Sequence, residues 1–160
     1  FRQITRRYIG EEVSIFRAMF MNKPAERGTI LPWHQDVGVG WGVGHNPTVT
    51  VWTALDAATI ENGCMQIVPG SHKGGMITEQ HFPSPEQLAE HAPPGSETDL
   101  EAEPGETILL NNLLLHRSGI NPTGHSRRAF SVAYMDGATR SVRTGEGYPM
   151  IFGKGALVPA

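Results

Sequence analysis

Residues 48–56, TVTVWTALD, decide the fold class. Val49 and Val51 with Thr48, Thr50 and Thr53 are β-branched and Trp52 is aromatic, the composition of a strand on a pleated, half-buried surface. Glu61, Asn62, Gly63 and Cys64 follow, with Asn-Gly in the order that favours a tight hairpin. Residues 65–69, MQIVP, are expected to return as the partner strand. Upstream, residues 13–21 (VSIFRAMFM) read as a strand ended by Asn22, Lys23 and Pro24. In residues 28–37 (GTILPWHQDV), Pro32 interrupts, and an extended path resumes toward Val37. Residues 37–47 carry four glycines with no helix behind them, which argues for a close-packed or mobile loop rather than a phosphate cradle.

Downstream, residues 70–104 form a long polar excursion broken by Pro83, Pro85, Pro93 and Pro94. One helix is expected inside it, over 84–91, with Ser84 as N-cap and Pro85 in the first helical position. Residues 104–112 (PGETILLNN) read as a turn and a strand. LLLH is a short apolar strand closed by His116, and 121–126 (NPTGHS) is a turn. Residues 127–136 (RRAFSVAYMD) are the last strong strand, and 137–160 carry no clear pattern. Many short strands with little helix predict a mainly β chain, an antiparallel sandwich or barrel, with the jelly roll as the choice.

Composition narrows the partners. At 160 residues the chain has room for one core. Its 39% hydrophobic content with 19 Gly and 12 Pro favours turns and short strands over long helices. Thirteen basic against 16 acidic residues give a net charge of -3 with no basic block, so nucleic acid is not an expected partner. No run approaches the roughly 18 apolar residues of a membrane span. The single Cys64 excludes an internal disulfide and suits a reducing compartment, so the expectation is cytoplasmic, with a buried structural thiol.

The chemistry gathers around Trp33-His34-Gln35-Asp36. On an extended segment His34 and Asp36 leave the same face, and two such groups can grip one metal ion. His116, about eighty residues on, can return as a third ligand on a folded-over sheet. Two imidazoles and one carboxylate leave adjacent positions open on the metal, as in iron(II) oxygenases. By itself H-x-D is a weak signal: His34 and His116 can equally be hydrogen-bonded or solvent-facing histidines, and Asp36 a turn residue. Arg127, eleven residues after His116, can bind a carboxylate through two parallel hydrogen bonds. Arg127 and Arg128 can also be edge-strand charges that discourage aggregation. His45, His81, His91 and His125 lie in polar loops and are expected to be solvated. His72 is expected in a turn, and Trp33 and Trp41 either wall a substrate or pack.

Taken together, LPWHQD, WTALD, ENGCMQIVPGSHKGG and PGETILLNNLLLHRSGINPTGHSRRA resemble the phytanoyl-CoA dioxygenase family over roughly residues 19–134. The resemblance implies a double-stranded β-helix (jelly roll, cupin-like) with few peripheral helices, iron(II) and 2-oxoglutarate as cofactors, and hydroxylation of a small molecule by O2. It implies iron ligation by His34, Asp36 and His116 and cosubstrate binding by Arg127. Met19, Gln35, Trp52 and Ser118 fall where the family lines the cosubstrate pocket. An aspartate at position 36 favours hydroxylation over halogenation, because it fills the position that chloride would need. Family members carry a helical region before this core. The expectation is therefore one oxygenase domain over 1–160, lacking that N-terminal region. A non-catalytic cupin-like metal- or ligand-binding module and a zinc hydrolase remain the alternatives.

Overall fold

The computed structural model describes residues 1–26 and 29–156. In chain order these form α1 (Arg2–Tyr8), β1 (Val13–Lys23), β2 (Leu31–His34), β3 (Val49–Ala54), β4 (Met65–Ile67), α2 (Pro85–His91), β5 (Thr98–Leu100), β6 (Thr107–Asn111), β7 (His116–Ser118), β8 (Arg127–Asp136) and β9 (Met150–Phe152). A five-stranded sheet, β6-β3-β8-β1-β9, faces a four-stranded sheet, β2-β7-β4-β5, and the ladders are antiparallel. This is the mainly β jelly-roll architecture that the strand pattern predicts.

Three apolar clusters hold the layers. Trp52, Met65, Leu110, Leu114 and Ala129 meet inside, with Cys64 among them. On the outer side of the large sheet Val13, Val49, Val51, Val132 and Tyr134 pack with Ile9 and Phe152. Trp33, Val68 and Leu115 pack with Leu88 of α2. The helix α2 begins as expected: the Ser84 hydroxyl accepts from Gln87 N–H, and Gln87 Oε1 accepts from Ser84 N–H at 2.8 Å. That reciprocal pair satisfies two otherwise orphaned donors.

Several expectations need correction. Strand β4 is not the hairpin partner of β3: β3 pairs with β6 and β8, while β4 joins β5 and β7 in the other sheet. The ten residues between them are a crossover, too long for a two-residue Asn-Gly hairpin. Its turn closes through Cys64 N–H donating to Thr59 O at 2.9 Å. Pro32 does not interrupt a strand but sits within β2, at the edge of the smaller sheet, where a missing N–H costs no ladder bond. His116 opens β7 rather than closing LLLH, because Leu114 N–H turns back to Asn111 O at 2.8 Å. The polar excursion also holds a strand, β5, which its acidic composition concealed.

One irregularity matters for the site. The β1–β8 register shifts between Ile15 and Arg17, so Phe16 is a bulge. An extra residue reverses the alternation of faces beyond it. Val13 and Ile15 therefore belong to the outer cluster, whereas Arg17, Met19 and Met21 line the interior cavity.

Candidate metal centre

Histidines 34 and 116 end β2 and begin β7 as direct register partners. Asp36 follows one residue past Gln35, with its N–H donating to Asn112 O at 2.9 Å and its carbonyl accepting from Asn112 Nδ2 at 3.1 Å. Asn112, 1% exposed, is thus the brace of the Asp36 backbone, itself held by the Thr50 hydroxyl at 3.1 Å. Donor atoms of His34, Asp36 and His116 lie within 4.8 Å of one another, and all three residues are buried. Each imidazole Nε2 is 3.9 Å from a different oxygen of Asp36: His34 from Oδ1, His116 from Oδ2. Ligand bonds of about 2.0–2.2 Å let one ion span donors up to about 4.4 Å apart. The two 3.9 Å separations fall within that reach.

Both imidazoles are oriented from behind. His34 Nδ1 donates to Pro32 O and His116 Nδ1 to Leu114 O, each at 2.8 Å. A proton held on Nδ1 leaves the Nε2 lone pair free and aimed inward, the tautomer a metal requires. Burial, with the nearby His116, pushes the His34 pKa down to about 3 despite the opposing pull of Asp36. Burial works against charge on Asp36, but His116, Arg17 and His34 outweigh it and hold its carboxyl below the usual range. A neutral imidazole at His34 beside an ionised carboxylate at Asp36 gives donor states that bind a divalent cation.

The centre opens into a cavity of about 230 Å³, lined among others by Met19, Trp52, Ser118 and Arg127. Arg127, 5% exposed, lies with its guanidinium carbon 5.8 Å from the Trp52 ring centroid. Its Nε has no hydrogen-bond partner among the described residues. Burial pulls its pKa below the ordinary arginine value. A buried cation without an acceptor is costly unless an anion completes it. Arg128 points the other way, exposed, with Nε and Nη2 each 2.8 Å from the Asp56 carboxylate.

Gln35, expected in the cavity wall, is not there. Strand-like alternation from His34 turns it away from the cavity into another buried position, where Nε2 donates to Gly75 O at 2.9 Å and to Leu113 O at 2.5 Å, and Oε1 accepts from Ile77 N–H at 2.8 Å. It ties the polar excursion to the turn before His116. His81 also departs from expectation: it lines the cavity, with ring centroids 5.2 Å from His34 and 4.5 Å from Phe82. Trp33 packs in the core beneath Arg117, and Trp41 stacks on Phe16 at 5.0 Å. Cys64 is a buried free thiol, its pKa pushed up to about 11 by burial and by Asp99 and Glu101.

Arg17 is the residue that sequence reasoning missed. Its Nη2 donates to Asp36 Oδ1 at 2.6 Å. A lone charge inside VSIFRAMFM was the available signal, but strict alternation would have put Arg17 on the face of Val13 and Ile15. Only the bulge reverses that.

The family model of phytanoyl-CoA dioxygenase (PhyH) matches residues 2–129. A probable phytanoyl-CoA dioxygenase of Caenorhabditis elegans is 33% identical over 127 residues, 72% of this chain and 40% of that protein. The peroxisomal phytanoyl-CoA dioxygenase of Rattus norvegicus is 30% identical over 138 residues, 79% of this chain and 40% of its own. The chain thus spans 40% of the length of these relatives. Among solved structures, EctD from S. alaskensis with 2-oxoglutarate and 5-hydroxyectoine has a TM-score of 0.77 at 25% identity, covering 98% of this chain and 61% of that one. EctD with bound Fe has a TM-score of 0.74 at 27% identity, covering 88% and 50%.

Proposed function

The chain belongs to the phytanoyl-CoA dioxygenase family, and from that premise we propose that it is an iron(II)- and 2-oxoglutarate-dependent oxygenase that hydroxylates a small organic substrate. One observation carries the proposal: a buried two-histidine, one-carboxylate donor set and a buried arginine lacking an acceptor at Nε line the same cavity. The solved relative EctD binds both Fe and 2-oxoglutarate.

The donor chemistry fits iron(II): imidazole nitrogen and carboxylate oxygen with adjacent positions left open. His34, Asp36 and His116 would hold the metal, and Arg127 would take the distal carboxylate of the cosubstrate as a bidentate pair. When bound, iron and 2-oxoglutarate supply the oxidation: O2 is consumed, the keto acid leaves as succinate and CO2, and one oxygen atom enters a substrate C–H bond. The chain contributes position and exclusion of water. Pro32 and Leu114 carbonyls fix the imidazoles, Asn112 fixes the Asp36 backbone, and Trp52 backs the Arg127 guanidinium. No side chain is required as acid or base in the oxygen transfer. A carboxylate at Asp36 favours hydroxylation over halogenation, because it fills the position that chloride would need. No helix among the described residues is long and apolar enough to cross a membrane, and the lone buried thiol suits a reducing, cytoplasmic setting.

The test is conversion of 2-oxoglutarate to succinate without substrate, under air with iron(II). The native chain should exceed free iron, and His116→Ala should not. A native chain that binds both groups yet yields no more succinate than free iron would instead be the non-catalytic binding module.

A further inference from the structure

The cavity has a deep end and a mouth, and each carries an arginine. The side chains of His34, Asp36 and His116 are 4%, 6% and 7% exposed, whereas Arg17 is 32% exposed. Arg127 therefore belongs to the interior and Arg17 to the entrance. The third arginine in the wall, Arg117, is already committed: its Nε donates to Gln66 at 2.7 Å and its Nη2 lies 3.5 Å from Glu97. Arg17 has only Asp36 as an acid partner among the described residues, and its Nε is buried without a hydrogen-bond partner among them.

We propose that the substrate of this site is a small organic monoanion whose carboxylate is held by Arg17, with its apolar body against His81 and Trp41. The proposal rests on the cosubstrate assignment of Arg127 above. Charge balance supports it. Arg17, Arg127 and a divalent metal face one aspartate and a dianionic keto acid, which leaves one positive charge on the substrate side. With a metal on Asp36, the carboxylate shares its charge with that ion, and the Arg17 guanidinium has capacity for a second anion. Arginine donates through a planar fork that matches a carboxylate.

The surroundings supply the apolar surface. The Arg17 guanidinium carbon lies 4.9 Å from the Trp41 ring centroid, and Trp41 is 5.9 Å from His81. Phe16 stacks on Trp41 at 5.0 Å, with Tyr148 edge-on to Phe16 at 6.3 Å. The bulge at Phe16 thus does two things. It directs Arg17 inward, and its own ring backs the tryptophan. Rigid aromatic rings offer large contact area at small entropic cost.

The experiment uses the chain loaded with Mn(II) and 2-oxoglutarate, which binds without turnover, and measures added phenylacetate, phenyl phosphate and phenethylamine by calorimetry. Phenylacetate should bind on top of 2-oxoglutarate and phenethylamine should not. Arg17→Gln should weaken phenylacetate by roughly tenfold to a hundredfold, the loss of a charge-assisted hydrogen bond. Mn(II) is held saturating for each variant, because Arg17 braces the ligand Asp36 and its loss changes metal affinity; 2-oxoglutarate affinity should stay within about threefold of native, and Arg17→Lys should recover part of the phenylacetate loss. Equal phenylacetate binding by Arg17→Gln, equal binding of phenethylamine, or an equal loss of 2-oxoglutarate affinity would each overturn the proposal. Tighter binding of phenyl phosphate than of phenylacetate would overturn the carboxylate assignment. Failure of the native chain to bind 2-oxoglutarate counts against the cosubstrate assignment instead. The dependence of phenylacetate on Arg17 is then read in the Mn(II)-loaded Arg127→Gln variant, where Arg127 cannot substitute.

Discussion

His34 and His116 face each other across the β2–β7 ladder with ring centroids 4.1 Å apart, although they are distant in sequence. The ladder register brings their rings together beside Asp36, which supplies three donors to one cation. Anaerobic iron(II) should bind once per chain. His34→Ala, Asp36→Ala and His116→Ala should each weaken it by more than about 100-fold, since loss of a mere supporting group costs 10–100-fold. Calorimetry on the folded variants decides, and near-native affinity in any two of them removes the assignment.

Arg127→Ala should raise the dissociation constant for 2-oxoglutarate by roughly 30-fold to a few thousand-fold, corresponding to about 2–5 kcal/mol for truncating one partner of a buried charge pair. Arg128→Ala should leave it near native, because that side chain is on the outer surface with Asp56. A loss confined to Arg128→Ala would show that the cosubstrate binds elsewhere.

The metal-free chain should lose stability as pH falls below about 6.5. An unfolded chain protonates its histidines near pH 6.5, while folded His34 resists until about 3. Between those values the unfolded state binds more protons, so stability is full above 6.5 and declines toward 3. One proton gives a slope of up to about 1.4 kcal/mol per pH unit. The depressed Asp36 carboxyl acts in the same direction at the acid end. Thermal melts from pH 7 to 4 should be steeper for the native chain than for His34→Gln; identical slopes would remove His34 as the cause.

Gly63→Ala should destabilise by more than about 2 kcal/mol. Its φ is +75°, where a side chain costs about 1–2 kcal/mol, and a Cβ there would lie 2.4 Å from the Ile120 carbonyl oxygen. Gly105→Ala is the control, with φ +90° but no atom within 4 Å. Urea titration should rank the two clearly, and equal losses would mean that the contact with Ile120 is not tight.

Substrate should slow amide exchange in residues 38–46 and 70–104, which bring Trp41 and His81 to the cavity's border. Long loops on a rigid scaffold commonly carry binding function. If exchange in both segments is unchanged at saturating substrate while the core strands respond, they are not part of the entrance.

The amino-acid sequence by itself determined the β class and most strands, because β-branched alternation in 48–56 and 127–136 and the Ser84 capping box are local signals. It also marked His34, Asp36, His116 and Arg127, whose spacing the family motifs carry. Only the tertiary structure decided which sheet each strand joins: β4 follows an Asn-Gly turn yet pairs with β5 and β7, since pairing is settled by burial across the chain rather than by turn residues. The same holds for which way side chains face. One bulge at Phe16 turns Arg17 toward Asp36, and the strap through Gly75, Ile77 and Leu113 draws Gln35 away from the cavity. Strand alternation has a period of two, so a single inserted residue reverses every face beyond it, and no local composition records where that insertion falls.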